Sequence, residues 1–434
     1  MSACKTERKT VFQIEEKAKK AGFQKLEHIG KSNKIAFDKP VYSNNRGRAI
    51  IMARPGRKPI SEGFHFLMAH CDSNHLDLKL KPLYESEHIA FLKTQYYGGI
   101  KHYQWPTIPL AIYGKVVKQD GTEIEIEIGE KNDDPIFMIT DLLPHLAKQQ
   151  EEKKLGEAIP AETLNVVVGS IAKKGKKDEK DLVKKRIMVI LQEKYGIKEE
   201  DFVSADLQIV PQGAARDLGF DRGLIAAYAQ DDRACVYTAF EAILKAQKPE
   251  FPSVFLCTDR EEVGSTGNTG AHSNFIIDFI SELVYLDSGK HNENFTRDAL
   301  SRSKAISADT TGGFDPDYAD VYDPLNTARL GAGVIIEKFT STHGKHATNE
   351  ASAEYTAFIR SIFNKAKINW QTGGAGKVDI AWGGLTIAQY LAELNMDVID
   401  VGPALFSIHA PFEIASKADI YSAYLAYKAF FESK

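Results

Sequence analysis

The sequence predicts an α/β protein in which a mostly parallel sheet flanked by helices is interrupted by an inserted β-rich domain. Short apolar runs alternate with amphipathic segments in residues 1–95 and again in residues 221–434, which is typical of buried parallel strands covered by helices. Residues 96–220 instead show period-two alternation and turn dipeptides, the pattern of antiparallel strands. We therefore expect residues 1–95 and 221–434 to form one α/β domain around an insert at 96–220.

Residues 1–95 are expected to contain a helix and a buried strand, and the insert at 96–220 is expected to contain a hairpin. Residues 9–31 carry apolar side chains at helical spacing, and residues 64–69 form a short apolar run flanked by polar residues. In the insert, Asp120-Gly121 separates the alternating residues 111–117 and 122–128, which predicts a β-hairpin. The Ile and Glu residues of 122–128 alternate strictly, so its Ile face suits either a dimer contact or an internal core.

Residues 221–434 are predicted to alternate between strands and helices up to the end of the chain. The predicted strands are residues 253–258, 283–286, 333–336 and 397–402, and the predicted helices are residues 234–246, 351–366, 386–395 and 416–431.

Composition excludes several classes of protein. The 55 basic and 59 acidic side chains give a net charge of −4, which argues against binding nucleic acid or an anionic membrane. No run approaches 18 apolar residues, and the charged first residues do not resemble a secretory signal. We expect a cytoplasmic protein with reduced cysteines.

None of the cysteines forms a C-x-x-C pair, so histidine, aspartate and glutamate must hold any metal. The cysteines are Cys4, Cys71, Cys235 and Cys257.

Polar residues follow the predicted strands, where functional groups gather in open α/β sheets. Five of them have the chemistry of metal ligands, because zinc readily takes imidazole nitrogen and carboxylate oxygen. The candidate ligands are His70, Asp231, Glu262, Asp309 and His409.

This set suits two divalent ions, which need one bridging carboxylate and about two further ligands each. Asp231 is the natural bridge. Either His70 joins Asp309 on one ion and Glu262 joins His409 on the other, or the pairing is crossed. Zinc, cobalt and manganese all fit these ligands.

Two further residues are candidates for catalysis. Glu261 precedes Glu262 and points elsewhere, so it is free to act as general base toward the activated water. Asp72 shares a face of the extended chain with His70 and could orient its imidazole.

Each of these candidate site residues, taken alone, also has a structural explanation, such as Asp231 at the start of a helix. Their joint occurrence at strand ends favours a site.

The motifs resemble those of the aspartyl aminopeptidase and vacuolar aminopeptidase I family of dinuclear zinc metallopeptidases. The resemblance covers nearly the whole chain, and we place it in a divergent bacterial-type branch. It is carried by His-x-Asp-Ser at 70–73, Asp-Asp-Arg at 231–233, Glu-Glu-Val-Gly-Ser at 261–265, Ser-Ala-Asp at 307–309, Ser-x-His at 407–409, Lys-Pro at 81–82, residues 143–147, residues 347–349 and Gly-Pro at 402–403.

The resemblance implies a phosphorylase/hydrolase-like metallopeptidase domain with the same five ligands, Glu261 as general base and Asp72 in support. It also implies that the insert serves dimerisation and that the chain assembles into a homo-oligomer, a dodecamer. Residues 311–318 (TGGFDPDY) lack the two histidines usual in the family. Residues 343–346 (HGKH), and Lys148 and Gln149, also depart from its pattern. The preferred N-terminal residue therefore stays open.

We predict an aminopeptidase that removes the N-terminal residue of peptides with a water activated by two metals. The alternatives are a related metal-dependent amidohydrolase acting on N-acyl amino acids and a non-catalytic scaffold of the same fold. A scaffold is expected to lack a ligand or Glu261, and the sequence retains them all.

Overall fold

The structure, a computed structural model of the chain, describes residues 1–26, 37–176, 179–247, 249–340, 343–345, 348–374, 376–380 and 386–434. Its strands, in chain order, are β1 (Gln24–Lys25), β2 (Val41–Asn45), β3 (Ala49–Arg54), β4 (His65–His70), β5 (His75–Ser86), β6 (Ile89–Tyr97), β7 (Leu110–Val117), β8 (Glu123–Ile128), β9 (Met138–Ile139), β10 (Val166–Gly169), β11 (Ala205–Pro211), β12 (Arg216–Leu218), β13 (Leu224–Ala227), β14 (Ser253–Thr258), β15 (Lys304–Ser307), β16 (Thr311–Gly312), β17 (Val334–Glu337), β18 (Trp370–Thr372), β19 (Asp397–Gly402), β20 (Ala404–Phe406) and β21 (Glu413–Ser416). Its helices are α1 (Glu7–Lys20), α2 (Lys148–Glu151), α3 (Leu155–Ala158), α4 (Leu182–Tyr195), α5 (Gln230–Lys245), α6 (Phe275–Ser288), α7 (Glu293–Ser301), α8 (Ala353–Lys365), α9 (Ala388–Ala392) and α10 (Lys417–Phe431).

A central sheet in the order β1-β2-β3-β14-β4-β15-β19-β17-β18 forms the core of the fold. Its middle strands β14, β4, β15 and β19 are parallel, and every residue of β4 and β14 is buried. Helices α1, α5, α8 and α10 cover one face, and α6, α7 and α9 cover the other. Burial on both faces explains the continuous apolar runs in the sequence. The predicted α/β fold class is confirmed.

Most predicted elements of residues 221–434 are present with bounds shifted by a few residues, but the strand predicted at 283–286 is wrong. These residues lie within α6, whose buried side chains recur every three or four positions along Phe275–Ser288. A short apolar run does not distinguish a buried strand from one turn of a buried helix. The strand that leads to Asp309 is β15.

The first helix is shorter than predicted. α1 begins after Thr6, whose side chain accepts a hydrogen bond from the backbone of Lys9, and it ends at Lys20. Gly22 follows with a φ of +86°, a conformation that glycine adopts without strain. Residues 27–31 of the predicted helix lie outside the described residues.

A second, antiparallel sheet has the order β8-β7-β11-β5-β6-β10-β9. The predicted hairpin is present as β7 and β8, and its Ile126 and Ile128 are buried in the core of this sheet. The sheet begins with β5, which precedes the boundary expected at residue 96, and with β6, which crosses it. The predicted strand at 64–69 is followed almost directly by β5. The division of the chain into domains stays a prediction, with the sheet favouring an insert that starts near His75.

A third sheet, in the order β12-β13-β21-β20-β16, lies beside the carboxyl ends of the central strands. Strand β13 leads to Asp231, β16 follows Asp309, and β20 and β21 flank His409. The small sheet therefore gathers three loops that carry predicted ligands. Among the helices of the described residues, none has the length and apolar character needed to cross a membrane.

Candidate metal centre

The fold brings all five predicted ligands together at the carboxyl edge of the central sheet. The five lie at the end of β4 (His70), in the first turn of α5 (Asp231), after β14 (Glu262), after β15 (Asp309) and between β20 and β21 (His409).

Asp231 lies at the centre of the group. Its Oδ1 is 3.5 Å from Nε2 of His70, and its Oδ2 is 3.3 Å from Nε2 of His409. Each oxygen of this one carboxylate therefore faces a different imidazole. A carboxylate that bridges two ions needs this arrangement.

The remaining carboxylates divide between the two imidazoles. Nε2 of His70 lies 3.8 Å from Oδ1 of Asp309, and Nε2 of His409 lies 3.3 Å from Oε2 of Glu262. The geometry favours the first of the two pairings considered from the sequence. The roles of these residues as ligands stay predictions.

Asp232 is a site residue that the sequence reasoning left out. Ligand atoms of His70, Asp232 and Asp309 lie within 4.8 Å of one another, as do those of Asp231, Glu262 and His409. Oδ2 of Asp232 accepts a hydrogen bond from the backbone of His70 at 3.2 Å. Its Oδ1 is buried and has no hydrogen-bond partner. A buried carboxylate oxygen without a donor is costly, so a cation nearby would stabilise it.

Glu261 lies beside the imidazole of His70, with 3.9 Å between its Oε2 and Nε2 of His70. It occupies the short 3-10 turn Glu261–Val263 directly after β14. The two consecutive glutamates diverge, because Glu262 faces His409 on the other side of Asp231. This separation agrees with different tasks for the two side chains.

Asp72 holds the loop that carries both glutamates. Its Oδ1 accepts the backbone N–H of Glu261 and its Oδ2 accepts the backbone N–H of Glu262, both at 3.1 Å. Tyr97 donates its hydroxyl to Oδ2 at 2.9 Å, and Nδ1 of His70 lies 3.3 Å from Oδ1. The sequence predicted only the contact with His70. Asp72 thus positions three site residues at once.

Glu413 has a similar position on the opposite side, and no sequence motif had indicated it. Its Oε2 accepts the backbone N–H of Asp231 at 3.0 Å, and its Oε1 accepts that of His409 at 2.9 Å. The residue is 2% exposed. One buried carboxylate therefore fixes two loops that are distant in the sequence. The only local signal was an acidic residue four positions after His409.

The second sheet also reaches the site, through the end of β6. The backbone carbonyl of Gly99 is 2.9 Å from Nδ1 of His409, which leaves Nε2 to face the carboxylates. Gly98 has a φ of +75°, and a Cβ there would lie 1.8 Å from the side-chain oxygen of Asn74. The positive φ and the crowding together favour glycine at this position.

The electrostatics of the centre indicate that it needs positive charge. Burial raises the pKa of Glu262 to about 8 and that of Glu261 well above its usual value. Burial alone would lower the pKa of His409, but the carboxylates of Asp231 and Glu262 raise it to about 10. Neighbouring carboxylates raise the pKa values of Glu261 and Glu262 further. Divalent cations would relieve this repulsion, and the imidazole and carboxylate donors fit zinc, cobalt or manganese.

Comparison with known proteins identifies the family. The model of the aminopeptidase I zinc metalloprotease family, M18, matches residues 1–431. A probable M18 family aminopeptidase 1 of Clostridium acetobutylicum is 48% identical over 431 residues, which cover 99% of this chain and 92% of that protein.

Solved structures agree. The crystal structure of an M18 family aminopeptidase from Thermotoga maritima superposes with a TM-score of 0.95 at 44% identity, covering 100% of this chain and 94% of that one. The Saccharomyces cerevisiae mApe1 dodecamer shares the fold at 18% identity with a TM-score of 0.78, covering 99% of this chain and 94% of that one. The chain belongs to the M18 family of zinc metallopeptidases and is an aminopeptidase.

Proposed function

We propose that this aminopeptidase holds two divalent ions, zinc by the family's chemistry, and uses Glu261 as its general base. His70 and Asp309 would hold one ion, Glu262 and His409 the other, and Asp231 both. The observation that carries the proposal is the orientation of Asp231, whose two oxygens each face a different imidazole. Asp232 is a further donor on the His70 side.

Two such ions, when bound, acidify a water and polarise the scissile carbonyl. Glu261 accepts the proton of the attacking water and returns it to the leaving amine. Its side chain is 15% exposed, so little bulk water competes for that proton. Asp72 fixes the backbone of Glu261 and so keeps its carboxylate beside the centre.

The free α-amine of the substrate is the expected recognition feature, because the site offers a surplus of buried carboxylates to an ammonium group. Acylation removes that charge. This requirement separates an aminopeptidase from an amidohydrolase acting on N-acyl amino acids.

We further propose that the protein is a cytoplasmic homo-oligomer whose insert makes contacts between copies, with the dodecameric mApe1 as a precedent for the fold. Large apolar side chains are exposed in residues 136–155, as expected for a surface that another protein covers. These side chains are Ile136, Met138, Leu142, Leu143, Leu146 and Leu155.

The test is a panel of aminoacyl 4-nitroanilides assayed after chelation and again after addition of Zn²⁺, Co²⁺ or Mn²⁺. We expect hydrolysis to stop on chelation and to return with metal, and we expect the N-acetylated substrates to stay intact. Hydrolysis that survives complete metal removal would contradict the two-metal proposal. Preferential cleavage of the N-acetylated substrates would instead favour the amidohydrolase.

A further inference from the structure

A row of polar side chains continues along the central sheet beyond the predicted metal centre. Ser307 of β15 pairs with Asp400 of β19, which in turn pairs with Glu337 of β17. Directly paired residues project from the same face of a sheet. Ser307 also pairs with Met68, two positions before His70, so the row and His70 share that face.

The row is connected to the loop that carries Asp309. Thr311, two residues after Asp309, donates its hydroxyl to Oε1 of Glu337 at 2.9 Å. The charge of Asp309 also acts on both Glu337 and Asp400. The two carboxylates are therefore immediate neighbours of the centre rather than a separate feature of the surface.

No cation neutralises these carboxylates within the described part of the chain, where the charges acting on them are those of other acids. Asp400 is 3% exposed, and its Oδ1 has no donor within hydrogen-bond distance. The hydroxyl groups of Ser307 and Thr386 are neutral neighbours of this carboxylate. Burial raises the pKa of Glu337 to about 8 and that of Asp400 to about 7. Glu337, at the end of the row, is only half-buried and keeps some contact with solvent. The buried Asp400 and the half-buried Glu337 therefore have hydroxyl neighbours but no positively charged partner among the described residues.

The chemistry selects an organic cation over a third metal ion. Glu337 and Asp400 belong to neither group of metal-ligand geometry found among the described residues, and two carboxylates with hydroxyl neighbours suit an ammonium or guanidinium group. Glu337 lies two strands from β15, about 10 Å at the usual strand spacing. Neither a lysine side chain nor that of Glu337 spans this distance alone, but the two extended toward each other do. A short charged side chain on the substrate would leave a gap.

We propose that Glu337, supported by Asp400, binds the side chain of an N-terminal lysine or arginine and gives the enzyme a preference for basic residues. This inference rests on the proposed function, because the substrate must place its scissile bond at the predicted metal centre. It concerns a residue outside the predicted ligand set.

The decisive comparison is lysine against norleucine, which matches lysine in its carbon chain but lacks the ammonium group. We expect the metal-loaded enzyme to hydrolyse lysyl 4-nitroanilide with a kcat/KM at least about 10-fold above that of the norleucyl substrate. Arginyl substrate should behave like lysyl, and the glutamyl substrate should be the poorest. Equal kcat/KM for lysyl and norleucyl substrates would overturn the inference without any mutation.

The test variant is Glu337→Gln, and the control is Glu350→Gln, which also removes one negative charge. Glu350 is exposed and forms an isolated β-bridge with Phe339, just beyond the end of β17. Glu337→Gln should lower the lysyl-to-norleucyl ratio of kcat/KM about 10-fold or more, and Glu350→Gln should keep the ratio of the parent enzyme. A ratio unchanged by Glu337→Gln in a folded, metal-loaded protein would also overturn the inference. If the enzyme hydrolysed none of the substrates, the proposed function itself would be refuted. If it hydrolysed the lysyl and norleucyl substrates equally well, only the role of Glu337 would be refuted.

Discussion

Replacing Asp72 by asparagine tests how the centre is held together. The substitution keeps the shape of the side chain but turns one acceptor oxygen into a donor NH₂ group. Tyr97 can rotate its hydroxyl to become the acceptor, so the new NH₂ is best placed at the Oδ2 position. The backbone N–H of Glu262 then loses the acceptor that it has at 3.1 Å. Oδ1 still accepts the N–H of Glu261, although without the charge.

The magnitude follows from that one lost contact. A hydrogen bond to a charged group contributes about 1.5–3 kcal/mol, and a buried donor left without a partner costs a similar amount. A loss of about 2–3 kcal/mol corresponds to roughly 30- to 150-fold in an equilibrium constant. We expect the unpaired N–H to displace Glu262 from the position in which it would bind metal. The affinity for metal should therefore fall by a similar factor, which is within the range usual for residues that orient metal ligands.

The measurement is competition for Zn²⁺ between the protein and a chromophoric chelator of known affinity, together with kcat/KM at saturating metal. Asp287→Asn, at an exposed position of α6, makes the same chemical change away from the site and should match the parent protein. A circular dichroism spectrum close to that of the parent and a cooperative melting transition above the assay temperature would show that Asp72→Asn is folded. If folded Asp72→Asn binds Zn²⁺ within threefold of the parent affinity, the reasoning is wrong.

Three further substitutions address the general base Glu261, the positioning residue Glu413 and Lys5, which precedes α1. Glu261→Gln should lower kcat by about 10²- to 10⁴-fold at unchanged metal content, and full activity in a metal-loaded sample would exclude Glu261 as the base. Glu413→Gln should weaken metal binding about 10- to 100-fold, with activity partly restored by excess metal; an unchanged metal titration would argue against its role. Lys5→Met should reduce the free energy of unfolding in urea by about 2–4 kcal/mol, because the buried ammonium donates to the carbonyls of Pro211 and Gly213. Equal denaturation midpoints for the variant and the parent would contradict that estimate.

Much of the fold could be predicted from periodicity alone, because apolar spacing records which face of an element is buried. The prediction failed where periodicity is ambiguous. Residues 283–286 are a short apolar run, and only packing against the central sheet shows that they belong to α6. The start of the second sheet was also missed. Leu76, Leu78 and Leu80 of β5 alternate with polar residues, but the sheet to which the strand belongs depends on its pairing with β6 and β11.

The sequence by itself indicated the candidate ligands and Glu261, and for His70, Asp231 and Glu262 it also predicted the adjacent strand or helix. The strands next to Asp309 and His409 were not predicted, so those two residues were found through their motifs. Only the tertiary structure decided which side chains face each other. Asp231 directs its two oxygens to different imidazoles, Glu413 joins loops that are 182 residues apart, and Glu337 meets Asp400 through strand register. Strand pairing and the burial of polar groups fix such contacts over long sequence distances. The one-dimensional pattern records the burial of each residue and not the identity of its partner.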